Sequence, residues 1–123
     1  MNPVTGLSLG RIAVGVASLA APKLVSSRLT GAAAGPGLLT QWFGNREIAL
    51  GVATLTASGK ARRNLVLVGI AVDAADAATA YLAVENEDVP RSVGLPGAAV
   101  AAGAVVAGLL GLRVRKRTAV EAA

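Results

Sequence analysis

Two aspartates, Asp73 and Asp76, interrupt the apolar stretch "GIAVDAADAATAYL". The nearest other charges along the chain are Arg63 and Glu85. Carboxylates three residues apart share one face of a helix. Three more charges sit in apolar surroundings: Arg11 in "SLGRIAVGV", and Arg46 and Glu47 in "FGNREIALG". These five residues are the candidates for a binding, proton or ion site. Arginines among carboxylates can neutralise them, and a carboxyl left over can donate a hydrogen bond, carry a proton or ligate an ion.

Other chemistry is poorly served. The chain has no cysteine and no histidine. That removes disulfides, thiol redox chemistry, Cys or His metal sites, His-ligated haem and the usual general base. Only Ser, Thr, the acids and Tyr81 remain as reactive side chains in the apolar segments. No catalytic residue, metal or cofactor is expected, and an enzyme acting on a lipid or quinone ranks last.

The composition says where these groups must sit. Hydrophobic residues make up 54% of the 123 residues and charged residues only 15%, against about 25% charged in a soluble domain. A small soluble protein has a large surface to cover with polar groups, and this chain lacks them. Its 15 glycines suit helices that approach closely in lipid. The reading is all-α: one transmembrane domain over residues 1–123, an integral membrane four-helix bundle. The helices fall at about 3–22, 41–59, 64–84 and 92–112, each near the ~20 residues a bilayer core requires. The first segment has no basic n-region and is interrupted by Arg11, so a retained helix is favoured over a signal peptide.

Charge in the short loops orients the chain. Lys60, Arg62 and Arg63 lie between the second and third segments, and Arg113, Arg115, Lys116 and Arg117 open a basic tail over 113–123. "ENEDVPR" between the third and fourth is mostly acidic. The excess of Lys and Arg belongs inside, so both termini are expected to be cytoplasmic. Lys23 and Arg28 then lie outside, against the rule but outnumbered. The long loop over 23–41 either lies along the outer interface, with Trp42 and Phe43 anchoring the start of the second helix, or is a plain external loop. The net charge of +5 thus reflects topology, and no nucleic acid is expected as a partner.

Spacing assigns faces. Arg11, Gly15 and Ser18 share one face of the first helix. Glu47, Gly51, Thr54 and Ser58 share one of the second, and Gly69, Asp73, Asp76 and Ala80 one of the third. Gly97, Ala101, Ala104, Gly108 and Gly111 form a stripe on the fourth. A carboxylate at mid-membrane costs about 3 kcal/mol or more, so it should face the interior and find a partner. At 1.5 Å per residue, Arg11 and Asp73 lie about 12 Å and about 13 Å from the same end, which predicts that they pair. Arg46 and Glu47 are expected near the outer end of the second helix. Arg46 either reaches inward to Asp76 or snorkels outward. With two arginines and three carboxylates, one acid is left over, and Asp76 is the candidate for that neutral acid.

The first two segments also echo each other. "IAVGVASLA" (12–20) aligns with "IALGVATLT" (48–56) at a fixed offset. Chance convergence of Ala/Gly/Val helices and duplication of a helical unit both account for it.

"FGNREIALGVATL" followed by "GKARRNLVLVGIAVDAADA" resembles a family of small four-helix bacterial membrane proteins known only as a domain of unknown function. The matching positions are Gly44, Arg46, Glu47, Arg62, Arg63, Asp73 and Asp76, and the resemblance covers about residues 5–112. It implies a multi-pass protein of the cell membrane and no particular activity. The expected role is a structural or accessory subunit of a membrane complex, surrounded by lipid and forming a homo-oligomer or joining partner membrane subunits. The alternative is an oligomeric proton- or cation-coupled transporter using a buried carboxylate of the third helix.

Overall fold

The computed structural model describes residues 2–30 and 37–122. It contains α1 (Pro3–Ala20), α2 (Pro22–Thr30), α3 (Gly37–Thr56), α4 (Gly59–Glu85) and α5 (Arg91–Ala122), with no strand among the described residues. Local sequence explains the breaks. Asn2 caps α1 by accepting from the Val4 N–H at 2.9 Å, and Pro3 occupies the first helical position, where no N–H is needed. Pro22 forces Ala21 out of the helical region and ends α1. Ala57 and extended Ser58 separate α3 from α4, and Gly59 takes φ +59° to start the next helix.

Among the described residues, α1, α4 and the Arg91–Arg113 part of α5 are long and apolar enough to cross a membrane. The second expected span is α3. It has the length, at 20 residues, but Gln41, Asn45, Arg46 and Glu47 leave it less apolar than the other three. It also begins at Gly37 rather than near 41, so Glu47 lies about 15 Å into the helix instead of at its outer end. The expected loop over 23–41 contains a further helix, α2, while residues 31–36 lie outside those described. α4 begins at Gly59 because Lys60, Ala61, Arg62 and Arg63 are good helix formers. α5 likewise continues through the basic tail to Ala122.

Packing makes two antiparallel pairs, α1 with α3 and α4 with α5, joined mainly by α1 against α5 and α3 against α4. Gly15 meets Gly44 and Ile48, while Gly51 meets Ser8 and Ile12. Gly94 lies against Val84 and Ala80, and Gly108 against Ile70. Gly111 touches Val4, so the start of α1 and the later part of α5 lie at one end. α2 packs at the other end, where Pro22 approaches Gly37.

The interior is polar and small, and the outside is greasy. Among the described residues, the buried hydrophobic side chains are Val4, Val66 and Val84; Ser8, Arg11, Ser18, Glu47, Thr54 and Asp73 are buried with them. Leu9, Val16, Leu39, Val68, Val100 and Leu109 face outward. A water-soluble fold buries large apolar groups; this arrangement suits lipid outside and close helix contact inside. The expected faces hold on α1 and, as far as Thr54, on α3; Ser58 lies beyond α3 and is exposed, and on α4 Gly69 and Asp73 are buried while Asp76 is half-buried. On α5 the stripe holds from Ala101 to Gly111, where Gly108 meets α4 and Gly111 meets α1; Gly97 is exposed, and Gly94 meets α4 one turn earlier.

Candidate functional site

All five charged candidates meet in one chain of alternating sign. Arg11 donates from Nη1 to Glu47 Oε2 at 2.8 Å and from Nη2 to Asp73 Oδ2. Arg46 donates from Nη2 to Asp76 Oδ2 at 2.6 Å and lies 3.4 Å from Glu47 Oε1. The order is Asp73, Arg11, Glu47, Arg46, Asp76, and it stitches α1, α3 and α4 together. The Arg11–Asp73 pair is as the depth argument expects. Arg46 turns inward rather than snorkelling, held by Asp76 and by the ring of Phe43, 5.2 Å from the guanidinium.

Two expectations are corrected. Glu47 belongs to the centre of the network, because α3 starts earlier and carries it to mid-helix. Asp76 is not the acid without a partner, since Arg46 holds it. The surplus carboxylate is instead spread over Glu47 and Asp73, which share the single guanidinium of Arg11. The two ends of the network also differ. Arg11, Glu47 and Asp73 are buried, whereas the Arg46 and Asp76 side chains are 39% and 40% exposed.

The repeat in sequence is also a repeat in space. At the same offset, Ser18 donates to the Val14 carbonyl at 2.7 Å and Thr54 to the Leu50 carbonyl at 2.7 Å. The glycine contacts are exchanged in the same way: what Gly15 finds in Ile48 and Gly44, Gly51 finds in Ile12 and Ser8. Such an exchange is the mark of an isologous, two-fold contact. Two antiparallel helices related by an axis across them have the geometry of an inverted repeat.

No family model, curated protein or solved structure matches this chain.

The chemistry therefore rests on these residues. A cavity of about 20 Å³ lies beside the buried end of the network, lined by Ser8, Arg11, Thr54, Val66, Gly69 and Ile70 among others. It has room for one water. Ser8 is buried and absent from the expected set, although its position three residues before Arg11 on the same face is the signal for it. Among the described residues no group of three or more acids is arranged to hold a metal ion. The arrangement can cross-link three helices through charge-assisted hydrogen bonds. It can also hold excess negative charge away from bulk water.

Proposed function

We propose that the chain is a multi-pass integral membrane protein, a four-helix bundle of α1, α3, α4 and α5 with both termini cytoplasmic. In this reading it acts as a structural or accessory subunit of a membrane complex and is not an enzyme. Kinship with the small four-helix proteins of unknown function belongs to the same proposal and rests on the quoted motif.

The observation that carries the reading is the self-contained ion network. Each of its carboxylates accepts from an arginine of the same chain, and each arginine serves two carboxylates. Charges so used fix helix partners and register. The greasy exterior supports the membrane assignment, and the lysines and arginines near the start of α4 and beyond residue 112 support the orientation. The test is native mass spectrometry of the tagged protein extracted in mild detergent from its own membrane. Foreign subunits in fixed ratio are expected; recovery only as a monomer or as copies of itself overturns the accessory role.

The surplus carboxylate favours a second reading, an oligomeric proton- or cation-coupled transporter. The purified protein in liposomes would then show pH-dependent flux that Asp73→Asn or Glu47→Gln, the acids that share Arg11, abolishes in protein that still folds. Absence of flux in the unmodified protein rejects this reading.

A further inference from the structure

The exposed end of the network is misplaced for a protein bathed in lipid on every side. Arg46 lies about 14 Å from the start of α3, and Asp76 about 14 Å from the end of α4. Both therefore sit near the middle of a hydrocarbon core about 30 Å thick. Charged groups at that depth face a protein interior or a water-filled cavity, or they snorkel to the interface. Here they do not snorkel, because each is drawn toward the other. Yet each side chain stays more than a third exposed within its own chain. Polar Asn45, also exposed, lies beside Arg46 in the chain.

We propose that a second copy of this chain docks on the cleft between α3 and α4 and covers the Arg46–Asp76 pair. The inference rests on the membrane reading above. α3 and α4 pack far more loosely on each other than α1 on α3 or α4 on α5, so the pair lies at a sparsely filled seam of the bundle. The seam carries one positive and one negative group at one depth. A two-fold axis along the membrane normal keeps that depth and sets the Arg46 of each copy against the Asp76 of the other. The patch is thus complementary to itself. An anionic lipid gains nothing from a neutral pair, and its phosphate sits at the headgroup level rather than at mid-core. Asp76 has spare capacity: its side chain is 40% exposed, and among the described residues its oxygens accept only from Arg46. The flanks are small. Ala49 is three residues after Arg46 and Thr79 three after Asp76; both are exposed, and residues of this size let helices approach.

The chain has no cysteine, which makes the test direct. Ala49→Cys and Thr79→Cys are introduced singly into the full chain and oxidised in native membranes. Val100→Cys, exposed on α5, is the control. A disulfide-linked dimer is expected from Ala49→Cys and Thr79→Cys at several-fold the yield from Val100→Cys, and it should fall several-fold when Asp76→Asn is added. Yields no higher than the control overturn the proposal, as does cross-linking to a foreign protein in place of a second copy. Carbonate washing of the same membranes separates the two readings. A chain released by the wash defeats the membrane assignment itself, whereas a chain that stays without cross-linking defeats only the dimer. Two differently tagged copies that co-extract, and fail to do so with Asp76→Asn, support the dimer without relying on the cysteines.

Discussion

Arg11 and Glu47 lie 36 residues apart, and 36 is also the offset at which α1 and α3 repeat each other. The two thus hold equivalent positions in the two halves, with opposite charge, and they bond to each other at 2.8 Å. A two-fold contact brings equivalent residues together only at its axis. At the axis a like pair would repel, and the substitution of one sign for the other turns the repeat's weakest point into a tie. Breaking the chemical symmetry there also leaves Arg11 free to serve Asp73 on α4.

Removing one partner of this buried set leaves an uncompensated charge. Arg11→Gln and Asp73→Asn are each expected to cost about 3–5 kcal/mol. The double variant should cost less than the sum by about 0.5–3 kcal/mol. Denaturant unfolding of the detergent-solubilised protein measures this, and a double variant as costly as the sum would sink the pairing.

The glycines at the α1–α3 crossing admit no side chain. A Cβ at Gly15 would come within 2.5 Å of Ile48 Cγ1 and 2.7 Å of the Gly44 oxygen. At Gly51 it would come within 2.7 Å of both Ile12 Cγ1 and the Ser8 oxygen. The side chain can move; the carbonyl cannot without parting the helices. Gly15→Ala and Gly51→Ala should each cost about 1–3 kcal/mol. Gly10→Ala, with nothing within 4 Å, should be neutral or slightly stabilising. Thermal melts of the three variants decide, and equal behaviour would refute the close crossing.

Two turns make opposite predictions. Gly59 has φ +59°, so Gly59→Ala should cost about 1–2 kcal/mol. Glu87 has φ 60° with a side chain in place. Glu87→Gly should therefore gain about 0.5–1 kcal/mol, the relief of strain less the added chain entropy. The same melts read both changes, and a destabilised Glu87→Gly would show that its backbone conformation is unstrained.

The orientation can be read with a membrane-impermeant thiol reagent. Lys60→Cys should react only after the cells are permeabilised, and Glu87→Cys should react in intact cells. The reverse pattern would invert the bundle.

Much of this was legible in the sequence, for physical reasons. The polar faces of α1, α3 and α4 follow from helical spacing alone, because nothing in lipid competes with the interior for Arg11, Glu47 or Asp73. The Arg11–Asp73 pair follows from depth, since both are counted from the same end. Depth failed for Glu47, because "GLLT" has no feature that marks it as helix rather than loop, and these four unrecognised residues put Glu47 deeper into the helix. α2 was hidden similarly, "PKLVSSRLT" being neither apolar enough for a span nor polar enough for a clear loop. On α5 small residues occur on every face, so the sequence offers no reason to choose Gly94 over Gly97; only the position of Val84 decides it.

The network also has an order of synthesis. α1 leaves the ribosome with a guanidinium and no counter-charge, and the first acid to follow is Glu47, on the helix least able to enter a bilayer unaided. Each offsets the other's defect: Glu47 neutralises Arg11, and α1 offers α3 a polar face to lie against. Asp73 comes later in the chain, after both Arg11 and Glu47 have been made. In the proposed membrane reading, a chain halted before residue 47 carries Arg11 with no acid of its own to neutralise it.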